Sequence, residues 1–139
     1  MRINVPNSRT FSKIFKKAIG ADIVENINGI TTDSREIQKG DLYVAIKGEN
    51  VDGNIFLNDV FKKGALCAIV SELVPNANGD QIEVSDTIKA IGKVATEWRS
   101  QFDIPVIGIT GTNGKTSTKE LLKHILSSKF DIHATEGNY

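Results

Sequence analysis

The sequence predicts an α/β protein made of two successive units. Short apolar runs typical of buried strands alternate with amphipathic helical patterns along most of the chain, which indicates a layered architecture of sheet and helices. A segment rich in turn residues, 75–80, closes the first series of these runs. Further on, an apolar run passes through a glycine-rich turn into another helical pattern. We therefore expect a first domain over residues 1–84 and the beginning of a second over residues 85–139.

The first unit is expected to open with a helix, because apolar residues recur at helical spacing from Phe11 to Ile19. Ser8 or Thr10 can cap this helix, and Gly20 can end it. A second helix is predicted over residues 55–63, where a glycine again follows the pattern. Short apolar runs predict strands over residues 23–27, 29–33, 42–46, 66–70 and 81–84. These elements together make a compact α/β domain.

The second unit is expected to begin with a helix capped by Ser85 or Asp86. Its apolar positions share one face, formed by Ile88, Ile91, Ala95, Trp98 and Phe102. Pro105 separates this helix from a strand that is predicted to start at Val106. The helix after the glycine-rich turn is expected to bury a stripe of Leu121, Leu122, Ile125 and Leu126, and a further strand is predicted over residues 132–134.

The glycine-rich turn has the features of a phosphate-binding loop. Residues 106–117 are VIGITGTNGKTS, a strand pattern followed by a turn and a helix start. Such a junction directs backbone N–H groups and the positive end of a helix dipole at one point. The common P-loop pattern has a glycine where this chain has Ile109, so only the shorter G-x-x-G-K-T is present. In isolation that pattern also fits a polar turn before a helix, but the flanking strand and helix favour a nucleotide site.

Each residue type in this loop suits a nucleotide. Glycine allows positive φ angles and close approach of the backbone to phosphate oxygens. Lys115 supplies a mobile cation, and the hydroxyl of Thr116 can bind Mg²⁺, with Ser117 as a second hydroxyl. The predicted nucleotide-binding residues are Gly111, Thr112, Asn113, Gly114, Lys115, Thr116 and Ser117.

The short loop resembles the ATP loop of the Mur ligase and folylpolyglutamate synthetase superfamily. Upstream, TTDSR at residues 31–35, KGDLYVAIKG at residues 39–48 and Asp-Gly at residues 52–53 resemble the N-terminal UDP-sugar-binding domain of the Mur ligases. Folylpolyglutamate synthetases lack that domain. The segment HATEGNY at residues 133–139, with Lys-Glu at residues 119–120, is most similar to Mur ligases that add D-alanyl-D-alanine to UDP-N-acetylmuramoyl-tripeptide.

The resemblance implies a small UDP-MurNAc-peptide-binding domain over residues 1–84 and the start of an ATP-binding P-loop domain over residues 85–139. It also implies an ATP-dependent, amide-forming ligase that works through an acyl phosphate, with UDP-MurNAc-peptide and D-alanyl-D-alanine as substrates. Lys115 would then be catalytic, and Thr116 would hold Mg²⁺. Family members continue for about two more domains, so we expect this chain alone to be an inactive fragment.

The resemblance further implies that Thr32, Ser34 and Arg35 contact the UDP substrate, together with Asn50 in the turn at residues 48–53. Asn138 is expected to orient substrate or nucleotide. From the residues alone, the cluster at residues 32–35 is equally well explained as a capped turn with a surface arginine, and the turn at residues 48–53 as a tight turn closed by an aspartate.

The composition limits the other function classes. The chain has 17 Lys and Arg against 17 Asp and Glu, and this balance does not favour nucleic acid or an anionic membrane as a partner. No apolar run is long enough to cross a bilayer, so we expect a cytoplasmic protein. We also expect a monomer. Two alternatives remain open: the Mur ligase that adds the third peptide residue to the UDP-MurNAc-dipeptide, and a non-catalytic UDP-sugar or nucleotide-binding module.

Overall fold

The computed structural model describes residues 2–49 and 51–135. The chain divides into two compact units, Met1–Phe102 and Asp103–Tyr139. In the first unit the elements follow in the order β1 (Arg2–Asn4), α1 (Ser8–Ile19), β2 (Gly29–Thr31), β3 (Asp41–Val44), a 3-10 turn (Gly53–Phe56), α2 (Leu57–Lys62), β4 (Cys67–Val70), β5 (Asp80–Glu83) and α3 (Thr87–Arg99). The second unit contains α4 (Lys115–Ser127).

The five strands form one sheet in the order β1-β2-β3-β4-β5. Strand β1 is antiparallel to β2, and the remaining neighbours are parallel, with Ile30 opposite Leu42 and Tyr43 opposite Ala68. All four parallel strands therefore end at the same edge of the sheet. The α/β fold class predicted from the sequence is confirmed.

Each face of the sheet carries its own apolar core, because successive side chains of a strand point to opposite faces. Leu42 and Val44 pack with α1 and α3 on one face. Tyr43 and Ala45 pack with α2 on the other. The unit therefore has three layers, with two helices on one face and one helix on the other.

Two local predictions for the first unit were wrong. Residues 23–27 form no strand, although Ile23 and Ile27 are buried in the core; their apolar spacing reflects a loop that packs inward. The N-cap of α1 is Asn7, whose side chain accepts a hydrogen bond from the Thr10 N–H at 3.0 Å. The predicted end of this helix is confirmed, since Gly20 adopts a left-handed conformation with φ of 81°.

Strand β1 was not predicted, and a partly buried ion pair joins it to strand β3. The Arg2 guanidinium donates through Nε and Nη2 to the two carboxylate oxygens of Asp41, at 2.6 and 2.7 Å. Asp41 is fully buried and also accepts a hydrogen bond from the Gln38 N–H at 3.0 Å. This carboxylate therefore joins β1, β3 and the loop between β2 and β3.

Helix α3 belongs to the first unit, whereas we expected the domain boundary at Val84. Asp86 caps this helix as predicted, by accepting from the Lys89 N–H at 2.9 Å. The helix then packs against α1, and the Trp98 ring lies 6.4 Å from that of Phe11. The division between the compact units consequently falls after Phe102.

The buried face of α3 agrees with the predicted stripe in part, since Ile91 and Trp98 pack against the core as expected. Thr87, Ala90 and Val94 are buried, whereas Ile88 is 58% exposed and Ala95 is exposed. The buried positions of this helix are small or β-branched residues, which a search for large apolar residues does not detect.

In the second unit, the helix forms without the predicted strands. Residues 106–110 and 132–134 have no strand pairing, and no residue of α4 is buried. Leu121 and Ile125 of the expected stripe are exposed. A strand requires a hydrogen-bonded neighbour, and the described residues of this unit provide none. No described helix of the chain is long and apolar enough to cross a membrane.

Candidate functional site

A cavity of about 580 Å³ lies in the first unit, at the carboxyl edge of strands β2 and β3. Ligands of open α/β sheets bind outside the carboxyl ends of parallel strands, and a volume of this size suits a small ligand. The cavity brings together the two turns that the sequence analysis singled out. Its lining consists of Thr32, Asp33, Ser34, Arg35, Tyr43, Ile46, Gly48, Val51, Gly53 and Phe56.

The first wall is a polar turn that directly follows β2. The hydroxyl of Thr31 accepts a hydrogen bond from the Asp33 N–H at 3.0 Å. One carboxylate oxygen of Asp33 then accepts from the Arg35 N–H at 2.9 Å. These two bonds hold Ser34 at the tip of the turn, where it is half-buried. Thr32 is exposed at the cavity.

Arg35 is paired with Asp33 in a way that the sequence analysis did not foresee. Its Nε and Nη2 donate to the two carboxylate oxygens of Asp33, at 2.9 and 2.6 Å. The hydrogen bonds from Arg35 hold the pKa of the Asp33 carboxyl well below its usual range. Because the Arg35 side chain is 85% exposed, this pair adds little stability. The charges of Asp33 and Arg35 cancel within the turn, and two N–H donors of the guanidinium are engaged by the carboxylate.

The second wall is the turn between β3 and the 3-10 turn. The Gly48 N–H donates to the Val51 carbonyl, and the Gly53 N–H donates to the Ile46 carbonyl, both at 2.9 Å. Asp52 caps the 3-10 turn by accepting from the Asn54 N–H at 2.9 Å. The predicted substrate residue at position 50, Asn50, lies outside the described residues.

Gly53 permits a close approach of two backbone segments in this wall. A Cβ at this position would lie 2.8 Å from the Ile46 nitrogen and 2.9 Å from the Ile46 oxygen. These are backbone atoms, which cannot turn aside as a flexible side chain can. The width of the cavity at this point therefore depends on glycine.

Tyr43 joins the cavity to the core, and sequence reasoning missed it. Its buried hydroxyl donates to the Gly53 carbonyl at 3.2 Å. Burial raises the pKa of Tyr43 to about 12, with a smaller contribution from the carboxylates of Asp33 and Asp52. The hydroxyl is therefore a neutral donor at physiological pH. The sequence feature that could have identified Tyr43 is its position near the end of a buried strand.

In the second unit, the predicted phosphate loop has part of the required geometry. Gly111 and Gly114 have positive φ angles of 150° and 77°, and α4 begins directly after Gly114. The Lys115 ammonium donates to the Gly111 carbonyl and so closes the turn. The structure leaves Thr112, Asn113, Thr116 and Ser117 exposed.

The loop residues fit a bound polyphosphate better than they fit a complete metal site. The N-terminus of a 13-residue helix, two glycines with positive φ and a lysine together suit an anion. For Mg²⁺ the loop offers hydroxyl oxygen from Thr116. The described residues contain no group of three or more His, Cys, Asp or Glu placed to hold a metal. Asn138, expected to orient a ligand, lies outside the described residues.

Comparison with known proteins relates both units to one family. The profile described as "Mur ligase family, catalytic domain" matches residues 26–99, just over half of the chain, and that of the "Mur ligase middle domain" matches residues 109–139. A relative from Synechocystis, UDP-N-acetylmuramoyl-tripeptide–D-alanyl-D-alanine ligase, is 41% identical over 116 residues. A relative from Aquifex aeolicus, UDP-N-acetylmuramoyl-L-alanyl-D-glutamate–2,6-diaminopimelate ligase, is 42% identical over 106 residues.

Solved structures agree with these matches. A crystal structure of MurF from Acinetobacter baumannii superposes with a TM-score of 0.79 at 33% identity, over 91% of this chain and 28% of that one. MurF ligase from Thermotoga maritima in complex with ADP gives a TM-score of 0.71 at 33% identity, over 78% of this chain and 25% of that one. The Synechocystis and Aquifex matches cover 81% and 75% of this chain. The chain spans about a quarter of the length of these relatives.

Proposed function

This chain belongs to the Mur ligase family, and we propose that it contributes two sites to an ATP-dependent ligase of peptidoglycan precursors. The cavity of the first unit binds the UDP end of a UDP-N-acetylmuramoyl-peptide. The loop of the second unit binds the phosphates of ATP. The observation that carries the proposal is the meeting of the turns at residues 32–35 and 48–53 around one cavity.

The cavity offers different chemistry at its two walls. Ile46 and Phe56, both half-buried, supply apolar surface for a nucleoside. The turn at residues 32–35 supplies the hydroxyls of Thr32 and Ser34 for a diphosphate. Because Asp33 engages two donors of Arg35, we assign Ser34 the main polar contact and Arg35 a supporting one.

The loop at residues 111–117 positions charge for phosphoryl transfer. Its backbone N–H groups cradle the phosphates, and Lys115 neutralises charge that develops on them. To reach a phosphate, the Lys115 ammonium exchanges its bond to the Gly111 carbonyl for one to phosphate oxygen. The hydroxyl of Thr116 would hold Mg²⁺, which would supply further charge neutralisation at the phosphates.

In the proposed reaction a terminal carboxylate oxygen of UDP-MurNAc-tripeptide bonds to the γ-phosphorus of ATP, the bond from that phosphorus to the β,γ-bridging oxygen breaks, ADP leaves and an acyl phosphate forms. The amine of D-alanyl-D-alanine then attacks the acyl carbon and loses a proton, the amide forms, and phosphate leaves with the C–O bonding pair. The predictions of a cytoplasmic location and of a monomer accompany this proposal.

A second candidate is the ligase that adds the third peptide residue to UDP-MurNAc-dipeptide. The 42% identity to the Aquifex diaminopimelate ligase supports it as well as the 41% identity to the Synechocystis ligase supports the first. Assays of a protein of the relatives' full length that carries this chain separate the two. Ligation of D-alanyl-D-alanine to the tripeptide supports the first candidate, and ligation of a diamino acid to the dipeptide supports the second.

The cavity is tested by calorimetry of residues 1–139 with UDP-MurNAc-tripeptide. We expect binding, and we expect Ser34→Ala to weaken it roughly 10- to 100-fold, the effect of losing one hydrogen bond to a charged group. Ser100→Ala is the matched control, because Ser100 is an exposed serine outside the cavity. An absence of heat at millimolar ligand, or equal affinities of the two variants, would reject the cavity as the substrate site.

A further inference from the structure

Lys63 reaches the cavity turn from a different part of the fold. It follows α2 directly as the C-cap residue. Its ammonium donates to the Ser34 carbonyl at 2.7 Å, across 29 positions of the sequence. Ser34 is the residue at the tip of the turn. A lysine that does not itself line the cavity therefore holds the residue to which we assign the main polar contact.

This contact completes the attachment of the loop between β2 and β3. The base of the loop is bonded to the end of α2, where the Gly40 N–H donates to the Gly64 carbonyl at 2.8 Å. The Lys63 contact adds an attachment at the tip. Loss of the Lys63 bond would therefore leave the tip to the hydrogen bonds within the turn, while the base keeps its bond to Gly64.

The other cations near the cavity lie beside carboxylates, whereas Lys63 donates to a carbonyl. Arg35 is paired with Asp33, and Lys47 lies 4.0 Å from a carboxylate oxygen of Asp52. The hydrogen bond of Lys63 is to a neutral carbonyl, so this bond does not cancel its positive charge. The ammonium consequently biases the potential beside Ser34 towards an anion.

We infer that Lys63 is a positioning residue that gives this cavity its preference for a diphosphate over an uncharged nucleoside. The inference rests on the proposed function of the cavity. Lys63 acts through the Ser34 turn and through its charge, without contact to the nucleoside. A role limited to stability would affect nucleotide and nucleoside binding alike.

The test measures dissociation constants of UDP and uridine for residues 1–139 by NMR titration. We expect Lys63→Gln to weaken UDP binding roughly tenfold and to change uridine binding less than twofold. Lys63→Arg keeps a charged donor and should remain within about threefold of the parent chain for UDP. Lys62→Gln is the matched control, since it removes the same charge from the neighbouring exposed residue of the same helix.

The outcomes separate this inference from the proposed function. If UDP does not bind the parent chain at millimolar concentration, both are rejected. If Ser34→Ala weakens UDP binding while Lys63→Gln behaves as Lys62→Gln does, the cavity stands and the role of Lys63 is rejected. If Lys63→Gln weakens UDP and uridine equally, Lys63 supports the fold of the turn only, and its assignment as the source of the preference is overturned.

Discussion

Replacement of Gly53 by alanine should damage the first unit and its cavity together. The added Cβ would lie 2.8, 2.9 and 3.0 Å from the Ile46 nitrogen, the Ile46 oxygen and the Ala45 Cα. Backbone displacement of this kind costs roughly 1–3 kcal/mol. For a unit of about 100 residues, a loss of 2 kcal/mol lowers the Tm by roughly 8–16 °C. The Tyr43 hydroxyl would also lose its fixed acceptor, the Gly53 carbonyl.

Gly48→Ala is the control for this experiment, because its Cβ would meet only the Val51 oxygen at 3.5 Å, an ordinary contact. Urea unfolding followed by the fluorescence of Trp98, the single tryptophan, reports on the first unit. Titration with UDP reports on the cavity. We expect Gly53→Ala to lose both stability and affinity, and Gly48→Ala to keep the stability of the parent chain. Equal stability of the two variants would refute the argument from backbone proximity.

Asp41→Asn leaves the Arg2 guanidinium without its ion partner and should reduce the free energy of unfolding by about 3 kcal/mol; urea unfolding measures this, and a change below 1 kcal/mol would contradict it. Gly92 lies in helix α3, and a Cβ at this position would meet open space. Gly92→Ala should therefore stabilise the first unit by roughly 0.5–1 kcal/mol in the same assay. A lower free energy of unfolding would count against this prediction. Burial raises the pKa of the Cys67 thiol to about 12. A thiol reagent should therefore modify Cys67 no faster than the first unit unfolds. Fast labelling of the native chain would disprove this prediction. In a complete ligase, Lys115→Ala should lower kcat by about two to three orders of magnitude with unchanged folding, and a variant that keeps a tenth of the activity would remove Lys115 from the mechanism.

Elements with a strong local pattern were predictable from the sequence. Helix α1 and its glycine end, and the buried strands β3 and β4, lie where residue spacing placed them. The failures have non-local causes. Strand β1 has only three residues, and its attachment depends on the bond from Arg2 to Asp41, 39 positions away. The strand expected from Val106 requires a paired neighbour, which no local pattern supplies.

The cavity was predictable in part. Polar residues after β2 and a glycine turn after β3 pointed to its two walls, and the structure brings those walls together. Tyr43 and Phe56 were missed because an aromatic residue in an apolar run usually belongs to the core. The pairing of Arg35 with Asp33 was also missed, since side-chain conformation decides which donors remain for a ligand.

A crystal structure of residues 1–139 with UDP-MurNAc-tripeptide tests the central claim most directly. Our account predicts the nucleotide in the cavity between the turns at residues 32–35 and 48–53, with diphosphate oxygens within hydrogen-bond distance of the Ser34 hydroxyl. A nucleotide bound only at the loop of residues 111–117, or a cavity without ligand density at saturating concentration, would contradict the account.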